Sequence, residues 1–341
     1  MYPWSRDLAG RLYEHVLDSR ALADNPLGDP HLRPLWVYTP PGYEEAAARR
    51  YPTIYLIQGL TGQLDMWRNR SAFSSTTPED VDALFTEGCP PTIVVYVDAW
   101  TSLGGSQFLD SPATGRYHTY LCDEVVPWVD LSYRTVADRD HRAIAGKSSG
   151  GYGAMVTAML RPELFGAFAT HAGDALFEVC YGPDFREAVR ALRDGYESSY
   201  AAFWADFRSR RGRSKSTDGV LLNVWCMAAC YSADADGTVR LPFEVGTGRL
   251  IPDIWERWLH WDPVRMAARH TEALQSMRAI WIDAGRSDDF YLDLGAQAFH
   301  AELSALGIDQ SVRFELFEGT HGGIAWRYPL AIRYLADALV R

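Results

Sequence analysis

The length, composition and charge of the chain exclude several classes of protein. It has 341 residues, of which 47% are hydrophobic and 23% are charged, as is typical of a packed globular protein. The formal net charge of −11 disfavours nucleic-acid binding, because phosphate backbones attract basic surfaces. The cysteines are odd in number and include no CxxC pair, so neither a disulfide framework nor a zinc site is expected.

The sequence carries no recognisable targeting or membrane-spanning segment. Residues 1–10 lack the charged start and apolar run of a secretory signal. No apolar stretch approaches the roughly 18 residues that a spanning helix needs. We therefore expect a cytoplasmic protein without a membrane span.

Short apolar, β-prone runs alternate with helix-like stretches along most of the chain. In chain order, the predicted strands occupy residues 35–39, 53–57, 92–97, 142–145, 279–284 and 312–317. Helix-like stretches cover residues 120–130, 152–160 and 294–306. Because strands that alternate with helices favour parallel pairing, the sequence predicts a single α/β domain over residues 1–341. Its central sheet should be mostly parallel, with helices on both faces.

The stretch from about residue 175 to residue 262 interrupts this alternation. It is helix-prone in parts and loop-like in others, and it carries five tryptophans, which are Trp204, Trp225, Trp255, Trp258 and Trp261. Ligands of open α/β sheets bind at the carboxyl edge of the strands. We therefore predict a cap of helices and loops, inserted over that edge, that selects the substrate.

The motif Gly146-x-Ser148-x-Gly150 is the strongest chemical signal in the sequence. It lies between a β-like run and a helix-like one, which is the context of a nucleophile elbow. A phosphate-binding loop that ends in this motif would need a glycine where His141 stands. A dinucleotide-binding motif starting at residue 151 would need a small residue where Val156 stands. The pattern therefore predicts Ser148 as a nucleophile.

A serine nucleophile needs a base and an acid, and in this arrangement the acid follows the serine in the chain. Asp288 stands three residues after Gly285, where a predicted strand ends, and we predict it as the acid. Asp289 is the neighbouring alternative, and Asp283 is a third candidate that belongs more naturally to the end of the strand.

The histidine base is expected after the last strand. His321 follows the predicted strand at residues 312–317 and lies in a glycine-rich loop. Only His321 and His300 come after Asp288, and His300 falls within a helix-like run. His321 is therefore the predicted base.

An oxyanion hole requires two backbone N–H groups that point at the developing negative charge. One is expected from Ser149, directly after the nucleophile. The other is expected from the loop after the strand at residues 53–57, where we choose Leu60 from its position alone.

Several segments together resemble one esterase family. They are residues 33–43, 57–60, 110–117 and 142–154, with His321 and Trp326 near the end. The likeness is to the family of the esterase-D/S-formylglutathione hydrolases, enterochelin esterases, feruloyl esterases and mycolyltransferases. It implies the α/β-hydrolase fold and a Ser–Asp–His mechanism, but it does not specify the substrate.

Two residues depart from the family pattern. Gln58 stands where relatives often have histidine, which could alter the oxyanion loop. Lys147 adjoins the nucleophile where many relatives have a different residue, and it could bring a positive charge to the site. Residues near the motifs are also candidates for substrate contact, and these are Gln58, Trp67, Lys147, Tyr152, Asp174 and Trp326. The aromatic ones could equally belong to the core, and Asp174 could cap the segment that follows it.

The sequence thus predicts a serine hydrolase that cleaves a small-molecule carboxylic ester or thioester through an acyl-enzyme. It contains no HExxH motif or comparable ligand cluster, so neither a metal nor an organic cofactor is expected. An acyltransferase with the same triad and an alcohol acceptor is one alternative. A non-catalytic binding protein on a hydrolase scaffold is another. The oligomeric state does not follow from the sequence.

Overall fold

A computed structural model describes residues 6–341 and contains a central eight-stranded sheet. Its strands are β1 (Arg11–Asp18), β2 (Leu32–Thr39), β3 (Thr53–Ile57), β4 (Ile93–Val97), β7 (Arg142–Lys147), β8 (Ala167–His171), β9 (Ala279–Gly285) and β10 (Val312–Phe317). Two short strands, β5 (Asp110–Ser111) and β6 (Gly115–Arg116), pair separately. The order across the main sheet is β1-β2-β4-β3-β7-β8-β9-β10.

Pairing in this sheet is antiparallel between β1 and β2 and between β2 and β4, and parallel elsewhere. The predicted mostly parallel sheet is therefore confirmed. Every residue of β3, β4, β8 and β9 is buried, as expected for strands covered on both faces. β1 was not predicted, because it is an edge strand whose residues are mostly exposed or half-buried and so show no apolar run.

Helices cover both faces of the sheet. The first half of the chain contains α1 (Thr77–Thr86), α2 (Tyr117–Thr119), α3 (Val126–Ser132) and α4 (Ser149–Leu160). Between β8 and β9 lie α5 (Phe177–Cys180), α6 (Gly182–Tyr196), α7 (Tyr200–Ser209), α8 (Asp218–Tyr231), α9 (Pro252–His260), α10 (Pro263–Ala267) and α11 (Thr271–Gln275). The last two are α12 (Leu292–Ala305) and α13 (Arg327–Leu339). Helices α4 and α12 pack on one face, and α1 and α13 on the other.

Residues 175–262, the predicted cap, contain α5 to α9 and contribute no strand to the main sheet. Aromatic side chains form much of their internal packing, including Phe185 against Trp258 and Trp204 against Trp225. Trp258 is fully buried, and its indole N–H donates to Ser232 Oγ at 2.8 Å. These tryptophans therefore serve the core of this segment.

Within residues 6–341, no helix is both long enough and apolar enough to cross a membrane. The five cysteines are free thiols, and each is buried.

Candidate active site

Ser148 occupies the sharp turn between β7 and α4. Its backbone has φ 58° and ψ −129°, a conformation that few residues other than glycine adopt. The Ser148 N–H donates to the carbonyl oxygen of His171 at 2.9 Å, which ties the turn to the neighbouring strand β8. The serine is thus presented at the carboxyl end of the parallel strands, as the motif predicts.

The two motif glycines are required because backbone segments cross here at close range. A Cβ atom on Gly146 would lie 2.9 Å from Gly150 Cα, and one on Gly150 would lie 2.8 Å from the Gln58 carbonyl oxygen. Both distances are shorter than real Cβ atoms show. The spacing G-x-S-x-G therefore allows β7, α4 and the loop after β3 to meet behind the serine.

A continuous chain of hydrogen bonds joins the predicted nucleophile, base and acid. Ser148 Oγ lies 3.1 Å from His321 Nε2, and His321 Nδ1 lies 2.9 Å from Asp288 Oδ2. The other Asp288 oxygen accepts the backbone N–H of Phe290 at 2.9 Å, which fixes the carboxylate. The Asp288 side chain is fully buried, and that of His321 is 12% exposed. This geometry is suited to deprotonating a serine hydroxyl.

The rival carboxylates occupy other places. Asp289 Oδ2 accepts the backbone N–H of His321 at 3.2 Å and so supports the histidine loop. Asp283 is buried on β9 and bonds to His171 and Arg327. His300 lies in α12 and stacks on Phe314 at a centroid distance of 4.4 Å. Of these candidates, only Asp288 contacts the His321 ring.

The loop after β3 lies directly against the nucleophile. A Cβ atom on Gly59 would be 3.3 Å from Ser148 Cβ. The Gln58 side chain donates to the Gly62 carbonyl oxygen at 2.6 Å and holds the loop closed. Leu60 and Ser149 both line the cavity beside Ser148. Ser149 is the first residue of α4, so its N–H has no partner within the helix and is free to serve a ligand.

A cavity of about 520 Å³ opens at the triad. The sheet side contributes Met66, Trp67 and Tyr328, and Phe290 stands beside His321 with a ring distance of 4.9 Å. The cap side contributes Tyr181, Asp184, Val220 and Asn223, together with Arg213. Predominantly apolar walls with a few polar groups are typical of small-molecule sites, and the volume is in the usual range.

Three of the six candidate contact residues line this cavity, namely Trp67, Lys147 and Asp174. The other three lie outside its lining. Gln58 is buried at the start of the loop after β3, and Tyr152 is fully buried against Tyr231 at 5.6 Å. Trp326 is half exposed and packs on Phe317 at 5.4 Å. Proximity in sequence to a motif therefore did not predict which side chains line the cavity.

Asp174 is held in a buried polar network between sheet and cap. Its Oδ2 accepts from Tyr181 Oη at 2.8 Å and from Gln107 Nε2 at 3.0 Å, and Gln107 also contacts Tyr231 Oη at 2.6 Å. Burial raises the pKa of Asp174, while these hydrogen bonds oppose the rise. The network therefore joins the ends of α5 and α8 to Asp174, which follows β8.

Two further charged groups shape the electrostatics of the cavity. Burial raises the pKa of Asp184 to about 6, despite a hydrogen bond of 2.7 Å from Asn223 Nδ2 and with a smaller contribution from Asp174. Burial lowers the pKa of Lys147, and nearby carboxylates, with Asp288 foremost, oppose that change. Sequence reasoning missed Asp184 and Asn223, because an aspartate near the start of an amphipathic helix is indistinguishable from an ordinary helix-terminal residue.

Among residues 6–341, no group of three or more His, Cys, Asp or Glu side chains has an arrangement that could hold a metal ion.

Comparison with known proteins identifies the family and the fold of the chain. Residues 31–331 match the model of the Esterase family. The chain is 29% identical over 141 residues to an endo-1,4-beta-xylanase/feruloyl esterase of Xylanibacter ruminicola. It is similar in structure to a ferulic acid esterase, with a TM-score of 0.61 and 19% identity, covering 97% of this chain and 100% of the other. An S-formylglutathione hydrolase from Agrobacterium tumefaciens has a TM-score of 0.55 at 15% identity and 98% coverage of both chains.

The extent of these similarities differs. The sequence match with the Xylanibacter ruminicola protein covers 40% of this chain and 19% of that relative, so the chain spans about a fifth of its length. The structural similarities extend over nearly all of this chain and establish the α/β-hydrolase fold that the sequence predicts.

Proposed function

The chain belongs to the Esterase family, and we propose that it is a carboxylic ester hydrolase that forms an acyl-enzyme on Ser148. The observation that carries the proposal is the hydrogen-bond chain from Ser148 Oγ through His321 to Asp288, with distances of 3.1 and 2.9 Å. A serine becomes nucleophilic only when such a base is held in reach and in the correct tautomer.

In the first half of the reaction, His321 Nε2 takes the proton from Ser148 as Oγ bonds to the substrate carbonyl carbon. Asp288 stabilises the imidazolium through Nδ1, and the N–H groups of Leu60 and Ser149 bind the oxyanion. The tetrahedral species collapses when the bond to the alcohol or thiol breaks, and His321 returns the proton to that leaving group. Ser148 then carries the acyl group.

In the second half, His321 takes a proton from water, and the resulting hydroxide oxygen attacks the acyl carbon. The bond to Ser148 Oγ breaks, and Oγ recovers its proton from His321 while the acid leaves. An acyltransferase would differ only by using an alcohol in place of water at this step, so the acceptor is what distinguishes the two activities.

The cavity supports a small-molecule ester or thioester as substrate. Its volume of about 520 Å³ and its apolar walls, including Trp67, Phe290 and Tyr328, suit an acyl group the size of an aromatic ring or a medium-length chain. Feruloyl esterases among the similar proteins support aromatic acyl esters as one class to assay.

A cytoplasmic location stays a prediction.

The test is hydrolysis of a p-nitrophenyl ester series from acetate to decanoate, with p-nitrophenyl ferulate added. Ser148→Ala is expected to lose at least ~10³-fold in kcat, because the nucleophile is gone. Ser149→Ala is the matched control, since it removes the neighbouring hydroxyl and keeps the backbone N–H. Comparable activity in Ser148→Ala and wild type would refute the mechanism. If the wild type releases ester product only with an added alcohol acceptor, it is an acyltransferase. If it shows no turnover with any of these esters or acceptors and a fluorophosphonate also fails to label Ser148, it is a non-catalytic binding protein, whereas labelling without turnover indicates a narrowly selective hydrolase or an acyltransferase whose acceptor is missing.

A further inference from the structure

Behind the triad, the carboxylate of Asp283 is the centre of a buried ion cluster. Its Oδ1 lies 2.6 Å from His171 Nδ1, and its Oδ2 accepts from Trp281 Nε1 and Arg327 Nε, each at 2.7 Å. Arg327 also donates to Glu315 Oε2 at 2.7 Å. The side chains of Asp283 and His171 are fully buried, and that of Arg327 is 2% exposed.

The cluster is joined to the nucleophile through strand β8. His171 is the last residue of β8, and its carbonyl oxygen accepts the Ser148 N–H at 2.9 Å. The next residue, Ala172, donates its N–H to the Asp283 carbonyl oxygen at 2.7 Å. The His171 side chain therefore forms a hydrogen bond with Asp283 on β9, while the His171 backbone carbonyl accepts a hydrogen bond from the strained turn at Ser148.

The same cluster reaches the segments that carry the acid and the base. Asp283 lies on β9, the strand whose following loop presents Asp288. Arg327 is the first residue of α13 and comes directly after the loop that presents His321. One set of buried contacts thus connects three chain segments that are far apart in sequence.

A further contact extends from the cluster to the substrate cavity. The ring of Tyr328 lies 4.7 Å from the His171 ring, and Tyr328 lines the cavity. Trp67, which also lines the cavity, packs on Tyr328 at 5.3 Å. A change in the position of His171 would therefore move the cavity wall as well as the nucleophile turn.

The charge of Asp283 is maintained despite its burial. Burial would raise the pKa of this carboxyl, but His171, with hydrogen bonds from Trp281 and Arg327, holds the pKa below its ordinary value. Apolar replacement of a buried ion pair is often neutral or stabilising, so stability alone does not account for charges at this place. Buried polar groups can instead fix the positions of neighbouring segments relative to one another.

We propose that this cluster, defined as His171, Asp283 and Arg327, positions the three catalytic segments relative to one another. Its members contact neither substrate nor reacting atoms and are positioning residues. The inference rests on the proposed triad, and it adds that the buried cluster helps to set the rate of the reaction at Ser148. A displacement of about 1 Å caused by a distant substitution can cost on the order of 100-fold in rate.

The test compares Asp283→Asn with a matched control variant, Asp130→Asn. The control lies near the start of β7, at the opposite end of that strand from Ser148. Asp130, which is partly buried, pairs with the buried Arg142 at 2.6 Å where β7 begins, so Asp130→Asn removes an ion pair that does not adjoin the proposed triad. Melting temperature, kcat and KM for a p-nitrophenyl ester, and the labelling rate with a fluorophosphonate, are measured for both. Asp283→Asn is expected to lower kcat and the labelling rate by about 10- to 100-fold, with a smaller rise in KM because Tyr328 in the cavity wall contacts His171. Asp130→Asn should keep the wild-type kcat even if its melting temperature falls as far.

The inference is overturned if folded Asp283→Asn retains the wild-type kcat, or if both variants lose kcat in proportion to their loss in melting temperature. Should Asp283→Asn not fold, Arg327→Lys decides by the same criteria, because it keeps the charge and loses the Nε hydrogen bond. Ser148→Ala is assayed in parallel. If Ser148→Ala stays active, the proposed function fails; if it is inactive while the cluster variants behave as wild type, only this inference fails.

Discussion

Ser148, the proposed nucleophile, adopts a backbone conformation with φ 58° that costs on the order of 1–3 kcal/mol for a residue other than glycine. Gly146 and Gly150 make this turn possible, since neighbouring backbone leaves no space for a Cβ atom on either. The position of Ser148 therefore depends on two glycines that have no reactive side chain.

Gly150→Ala tests this dependence. Its Cβ would lie 2.8 Å from the Gln58 carbonyl oxygen, so we expect the oxyanion loop to shift, with at least ~10-fold loss of kcat and a lower melting temperature. Gly195→Ala in α6 is the control, because a Cβ there meets nothing within 4 Å. Kinetics and thermal unfolding of both variants check the prediction. Wild-type kcat in Gly150→Ala would contradict it.

The two neighbouring aspartates are predicted to differ in their effect on the reaction. Asp288→Asn should lower kcat by roughly 10³- to 10⁴-fold, because an amide neither fixes the His321 tautomer nor stabilises the imidazolium. Asp289→Asn should cost far less, since Asp289 accepts only the backbone N–H of His321. Steady-state kinetics on one p-nitrophenyl ester compares the two. Equal losses would refute the assignment of the acid.

For individual residues, the sequence predicts candidates that stand at a characteristic distance from the end of a strand. Asp288, three positions after Gly285, is an example. The sequence did not predict Asp184 or Asn223, whose roles depend on how helices α6 and α8 pack over the cavity. Nor did it place Tyr152 and Trp326, because the motif segments alone do not fix the direction of a side chain.

Among the elements, helix α6 carries a carboxyl group, Asp184, whose pKa is raised. Burial raises the pKa of Asp184 to about 6, whereas an aspartate in an unfolded chain has a pKa near 3.9. At this group the folded protein therefore binds more protons than the unfolded chain between about pH 4 and 6, and the contribution of Asp184 to stability falls as pH rises through that window.

Asp184→Asn should remove this loss while keeping a hydrogen bond to Asn223. The melting temperature of the variant is expected to exceed that of wild type at about pH 7.5, and the difference should shrink towards about pH 4.5. Thermal unfolding of the two proteins across this range makes the comparison. A difference that is constant with pH would rule out titration of Asp184 as the cause.

The secondary-structure elements also differ in how clearly the sequence predicts them. Strands β3, β4 and β9 are buried along their whole length and appear in the sequence as apolar runs. β1 pairs at the sheet edge, so half of its side chains face water and the run is lost. The bounds of individual cap helices were equally unpredictable, because their stability comes from mutual aromatic packing that spacing does not encode.

In the whole molecule, the sheet order brings the three proposed catalytic residues together. Ser148, Asp288 and His321 follow β7, β9 and β10, which are parallel strands of one sheet, so their carboxyl ends meet at one edge. This long-range convergence was predictable, because the alternation of strands and helices implies parallel order. The buried cluster around Asp283 was not, because it depends on side chains from three separate elements.

The thiols give a test of packing over the whole molecule. All five cysteines are free and buried, and burial raises the pKa of Cys89 and Cys122 to about 12. We expect slow reaction of the native protein with a disulfide reagent such as Ellman's, and release of five equivalents in denaturant. A melting temperature unaffected by reductant should accompany this result. Rapid reaction of a native thiol would show that the packing is looser than described.

Acylation of Ser148 can be tested directly by covalent labelling with a fluorophosphonate, followed by intact mass measurement and peptide mapping. We predict one adduct per chain, located on Ser148, formed much more slowly in His321→Ala and absent in folded Ser148→Ala. An adduct on another serine, or undiminished labelling of Ser148→Ala, would contradict it.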